Sequence, residues 1–160
     1  MKHTVRLNKP ALLWGGILLL IFAFSLGAFF LSAYSRVYRV FFYPALHQTF
    51  PLQGERRLLP RRRGGENNAE EYLREWVLGP QKIDHLRLFP GGTRLISCLF
   101  REGVLYLNFS VEFLTGQDSV PLSPGEILGE TVRGIRFNFP EVRECLFFVD
   151  GEPLGEEDYS

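Results

Sequence analysis

The chain has 160 residues, and its 18 lysines and arginines balance 18 aspartates and glutamates, so the formal net charge is zero. That balance excludes nucleic acid or an acidic substrate as a partner held by bulk charge. An apolar run near the start removes about a fifth of the chain from the globular count, and the remainder suits one domain with one core.

Charge is unevenly spread. No acidic residue precedes Glu55, whereas Glu152, Glu156, Glu157 and Asp158 crowd the last stretch, so residues 154–160 read as a solvated acidic tail. Two cysteines, Cys98 and Cys145, are too few for a disulfide scaffold and lack metal-ligand spacing. Both stand in apolar, strand-like runs, which leaves two buried thiols or one bridge between adjacent strands.

Residues 1–10 form a short tail carrying Lys2, Arg6 and Lys9. Residues 11–33 then read ALLWGGILLLIFAFSLGAFFLSA without a charge. A helix of that length spans about 34 Å, enough to cross a hydrocarbon core of about 30 Å. The predicted transmembrane helix covers 11–34, with Trp14 and Tyr34 as interfacial anchors and Leu18, Phe22, Leu26 and Phe30 between them. A cleaved signal peptide is the competing reading. Its apolar region would be only about 7–15 residues long, and the best cleavage point here, Leu31-Ser32-Ala33, has a bulky residue at −3. Arg36 and Arg39 follow the helix closely, so the flanking charges bias its orientation only slightly.

Residues 36–43 (RVYRVFFY) are rich in β-branched and aromatic side chains and predict a strand that stops at Pro44. A weaker extended piece covers 56–62, where Pro60 marks an edge. Residues 66–78 predict a helix whose apolar stripe is Ala69, Tyr72, Leu73, Trp76 and Val77. Asn67 or Asn68 is expected to cap its first N–H groups, and Gly79-Pro80 to stop it. Residues 94–100 and 104–109, joined through Glu102-Gly103, form a hairpin with Leu105, Leu107 and Phe109 facing the core. Ser123-Pro124-Gly125-Glu126 is a capping box that opens a helix with Leu128, Val132, Ile135 and Phe139 on one side and Pro140 at its end. Residues 142–149 (VRECLFFV) form the last strand, ending at Asp150-Gly151. The β-β-α-β-β-α-β order predicts an α+β fold, a two-layer α/β sandwich, preceded by one N-terminal transmembrane helix.

The residues offer little reactive chemistry. His3, His47 and His85 lie far apart without a nearby cysteine, so no metal site is expected. Asp84-His85 reads as a solvated loop pair, since no serine stands in a G-x-S-x-G context. Gly64-Gly65 and Gly91-Gly92 fit turns, and Glu126 and Glu130 fit a cap and an exposed face. No catalytic residue, cofactor or small-molecule substrate is therefore expected. The candidate partner-binding residues are of two kinds. Arg56, Arg57, Arg61, Arg62 and Arg63 form the densest charge cluster, suited to anionic lipid headgroups or a cell-wall polymer, or to discouraging strand pairing at a solvated edge. Gly125, Gly129 and Gly134 recur on the second helix, where small residues permit close approach of the domain's own sheet or of another subunit.

Taken in order, several pieces resemble the GerMN domain, the sporulation and spore germination domain of bacterial envelope proteins. They are the opening strand ending in Tyr43-Pro44, the helix closing with Leu78-Gly79-Pro80, Phe89-Pro90-Gly91-Gly92-Thr93, GVLYLNFSVEF at 103–113, Asn138-Phe139-Pro140-Glu141-Val142 and Phe148-Val149-Asp150-Gly151. The resemblance covers residues 36–153. It implies a non-catalytic module outside the cytoplasmic membrane, similar to ring-building motifs that assemble side by side. Two features depart from the pattern: the apolar run has no following cysteine for lipid attachment, and the domain occurs once. The expectation is a single-pass protein of the bacterial inner membrane with an extracytoplasmic C-terminal domain. That domain would bind another envelope protein or itself. Binding of a wall polymer or anionic lipid is the alternative, and a hydrolase the least favoured.

Overall fold

The computed structural model describes residues 9–34, 36–62 and 64–155, which divide at Arg36/Val37 into two compact units. The first is one helix, α1 (Lys9–Tyr34). Its apolar side chains, Trp14, Leu18, Phe22, Leu26 and Phe30 among them, are exposed on all sides. The helix contains 26 residues, about 39 Å of rise, so it is long and apolar enough to cross a membrane. Tyr34 ends it, but its side chain lies outside the described part.

The second unit contains β1 (Arg36–Ala45), β2 (Gln48–Pro60), α2 (Gly65–Leu78), β3 (Leu95–Arg101) and β4 (Val104–Phe109). The short α3 (Glu112–Thr115) and a 3-10 turn (Gln117–Ser119) follow, then α4 (Pro124–Asn138), β5 (Glu144–Val149) and β6 (Glu152–Pro153). The expected α+β class and element order are present. The strands fall into two sheets, β1-β2 and β3-β4-β5-β6. Within the larger sheet β3-β4 and β5-β6 are antiparallel and β4-β5 is parallel, with α4 in the crossover.

Several boundaries differ from expectation for local reasons. β1 runs through Pro44, which is tolerated because its carbonyl accepts a hydrogen bond from Leu86 N (2.7 Å) while its missing N–H costs an edge strand nothing. β2 starts at Gln48, eight residues before the predicted Arg56, in a stretch where Pro51 and Gly54 hide the strand pattern. No side chain caps α2: Asn68 instead exchanges two bonds with the Arg62 backbone and donates to the Gly64 carbonyl. The Ser123–Glu126 capping box is present in both directions. Gly79 ends α2 at φ 102, where only glycine is unstrained.

Aromatic side chains form the core. Trp76 packs against Phe41, Tyr72 and Phe89 at ring separations of 6.4, 5.1 and 5.8 Å. The polar ends of these rings reach β1: Tyr72 Oη donates to the Val40 carbonyl (3.0 Å) and Trp76 Nε1 to that of Phe42 (3.1 Å). From α4, Asn138 accepts from Val40 N (2.9 Å) and donates to Val40 O (2.8 Å), as a neighbouring strand would. The edge of β1 is thus closed by side chains.

Beneath β2 lies a buried polar cluster. Arg57 is 6% exposed and donates to Glu55 Oε1 (2.5 Å), to the Gly79 carbonyl at the end of α2 (2.7 Å) and to Tyr43 Oη (3.1 Å). Glu55 also accepts from the backbone N–H groups of Gln81 and Lys82, pinning the chain that leaves α2. Burial opposes ionisation of Glu55. The Arg57 hydrogen bond and the two backbone donors outweigh it and hold the carboxyl below the ordinary value of 4.5. Burial also pushes the Tyr43 hydroxyl upward, so it stays a neutral donor to the Gly79 carbonyl.

At Gly134 a Cβ would stand 2.3 Å from Trp76 Cη2 and 3.1 Å from Tyr72 Oη, whereas at Gly129 it would meet nothing within 4 Å. Gly134→Ala should therefore cost about 1–3 kcal/mol by overpacking, and Gly129→Ala should gain about 0.5–1 kcal/mol, read as opposite shifts of the urea midpoint. Because the folded-state pKa of Glu55 is depressed, its contribution is complete above the ordinary 4.5 and is lost as pH falls through the folded value. Glu55→Gln should flatten the acid limb of stability against pH, and Arg57→Met, which strands a buried carboxylate, should cost about 3–5 kcal/mol at neutral pH.

Candidate functional site

Helices α2 and α4 pack into the core on one side of the four-stranded sheet. Leu95, Cys98, Leu105, Leu107, Phe109 and Val149 point into the core from that side. On the other face the register aligns Leu99 with Tyr106 and Tyr106 with Leu146, giving an apolar row across three strands. A second row, Ser97–Asn108–Phe148, runs beside it. Leu99 is 50% and Leu146 38% exposed, and no described element covers them. The rows border a shallow hollow of about 240 Å³ lined by Ser97, Leu99, Tyr106, Asn108, Phe148 and Gly151. Asn108 is held in place by the Gly151 N–H, which donates to its Oδ1 at 3.0 Å. A shallow, largely apolar dish of this kind can bind another surface.

This face was not among the expected sites. Its signal was present in the sequence: 95–101, 104–109 and 144–149 carry apolar residues on both alternating faces, more than a half-solvated sheet needs.

The predicted arginine group is divided by the structure. Arg57 must be removed from it, because the guanidinium is buried in the cluster under β2. Arg56, Arg61 and Arg62 are exposed, with Arg56 stacked over the Tyr38 ring (4.6 Å) and Arg62 reaching Glu71 (3.4 Å). Arg63 lies outside the described residues. Among the predicted glycines, Gly134 is also removed, being packed against Trp76 inside the domain. Gly129 is exposed and Gly125 partly so.

Groups with chemical potential are engaged elsewhere. His85 is buried, contrary to the expected solvated pair with Asp84, and its ring faces Gln53 (3.3 Å) and Glu55 (3.4 Å). It borders a wider groove of about 560 Å³ between the loops at 78–87 and 118–121. The hydroxyl there, Ser119 Oγ, donates to Gly116 O (2.6 Å) and accepts from Gly91 N (3.0 Å), so the groove contains no nucleophile paired with a base. Glu126 belongs to the capping box and Glu130 pairs with Arg133 (3.4 Å). Cys98 and Cys145 are free thiols on β3 and β5, with β4 between them. Two strand spacings put them about 10 Å apart, too far for the expected alternative of a bridge. Burial raises their pKa values to about 12 and about 11, which leaves both protonated and unreactive. No group of three or more metal-ligating side chains occurs among the described residues.

No curated protein matches the sequence. Among solved structures, the first GerMN domain of the sporulation protein GerM from Bacillus subtilis is similar at 16% identity and a TM-score of 0.50, over 74% of this chain and 86% of that one. The tandem GerMN domains of the same protein are similar at 16% identity and a TM-score of 0.51, over 75% of this chain and 41% of theirs. At this identity the likeness is one of fold. The family described as "Germane: Sporulation and spore germination" matches residues 40–155, most of the chain and nearly all of the second compact unit. The chain belongs to that family of sporulation and spore germination domains.

Proposed function

We propose that this chain is a non-catalytic, single-pass membrane protein whose GerMN domain lies outside the cytoplasm and binds another envelope protein or a second copy of itself. The observation that carries this reading is the uncovered apolar row Leu99–Tyr106–Leu146 on a sheet whose other face already holds α2 and α4. A solvated sheet face usually alternates to polar residues, and one that does not costs solubility unless a partner covers it. Family membership supports an envelope assembly of the sporulation or germination type as the setting.

The apolar helix α1 supports the anchor. Tethering confines the domain to two dimensions and raises its effective concentration toward neighbours, so a contact smaller than a freestanding interface suffices. The exposed Arg56, Arg61 and Arg62 and the open side of α4 at Gly125 and Gly129 are secondary surfaces in the same reading.

Leu99→Glu combined with Leu146→Glu places two charges on the row at positions that tolerate them, with an expected stability change within about 1 kcal/mol. Native electrophoresis of gently solubilised membranes should show the full-length wild type in a larger species and the variant released from it, at equal thermal midpoints. A variant that stays in the same species would remove the sheet face as the binding surface.

A further inference from the structure

We propose that the end of the β1–β2 hairpin that follows α1 in the chain is a contact for anionic phospholipid headgroups, formed by Arg56, Arg61 and Arg62 with Tyr38 and Leu58. The inference rests on the membrane-anchor part of the preceding reading and adds a second attachment to it.

Charge supplies the first argument. Among the ion pairs of the described residues, none includes Arg56 or Arg61. Arg62 has the half-buried carboxylate of Glu71 at 3.4 Å as its one ion-pair partner among the described residues. The charge of Arg61 also opposes that of Arg39, while the Glu141 carboxylate favours it. Arg56 and Arg61 therefore have no carboxylate among these pairs, and an external anion relieves them.

The neighbouring apolar groups indicate which anion. Tyr38 is 61% and Leu58 44% exposed, and the Arg56 guanidinium lies 4.6 Å above the Tyr38 ring. A polyphosphate chain would be held by the arginines alone, and a sugar ring stacked on Tyr38 would leave Leu58 in water. A lipid surface takes the arginines at its phosphates and an amphipathic tyrosine and a leucine at the boundary beneath them. Chain length limits how far Tyr38 can lie from a bilayer that holds α1. Tyr38 is the fourth residue after Tyr34, the last of the helix, and four extended residues reach at most about 14 Å. That reach is comparable with a Debye length of about 8–10 Å.

The test uses the full chain in nanodiscs of phosphatidylcholine, with and without phosphatidylglycerol, and reads amide hydrogen exchange over residues 54–62. Phosphatidylglycerol should slow exchange there several-fold, high salt should abolish the effect, and residues 104–109 should not respond. Arg56→Glu with Arg61→Glu should lose the protection while keeping 104–109 protected, and Arg56→Lys with Arg61→Lys should retain most of it. Equal exchange in the two discs, with the chain inserted in both, overturns the lipid contact and leaves the anchor intact. Protection that appears only when purified cell-wall polymer is added also overturns it, in favour of that polymer. A chain that enters neither disc overturns the anchor reading and this inference together.

Discussion

The exposed edge of β1 is the point on which the domain's architecture turns. A two-stranded hairpin is marginal by itself, and here its edge carbonyls at Val40 and Phe42 are taken by Tyr72, Trp76 and Asn138 instead of by a third strand. Those side chains belong to α2 and α4, so satisfying the hairpin draws both helices to one side of the domain. Gly134 then lets α4 close onto the Trp76 ring. With α2 and α4 committed, no other described helix of the second unit covers the opposite face of the four-stranded sheet, and its apolar row faces outward.

The buried Arg57–Glu55 pair performs a related task at the other end of α2. It satisfies the last carbonyls of that helix and fixes the loop through Lys82 against the hairpin. Ionic groups with that geometry are easily mistaken for a catalytic pair. Here the two partners bond to each other, to the Tyr43 hydroxyl and to backbone groups of the fold, and both are buried, so the cluster holds a loop and is withdrawn from solvent. The wider groove near His85 is likewise bordered by engaged groups.

Much of the fold was legible because its signals are local. The stripe Ala69–Val77, the Ser123–Glu126 box and the Glu102-Gly103 turn each fix an element from a few neighbouring residues, and all three are where expected. What was not legible depends on contacts distant in sequence. Arg57 looks like one of five surface arginines until Tyr43 and Gly79 are brought beside it. His85 looks like a loop residue until its backbone bridges Ala45. The split into two sheets could not be read either, since a side-chain amide at Asn138, ninety-eight residues from Val40, takes the place of a strand. Tyr106 and Leu146 were visible as strand residues, but their shared outward row exists only once the parallel β4-β5 register is known.

The account stands or falls on whether the bare sheet face meets another protein in the envelope. A photo-crosslinking amino acid placed at Leu99 of the full chain, with the same probe at Gly129 on the exposed side of α4 for comparison, tests this in living cells. The account predicts a discrete covalent adduct with a protein or a second copy from position 99 and a weaker one, or none, from 129. Free probe at both positions, or adducts from 129 alone, would contradict it.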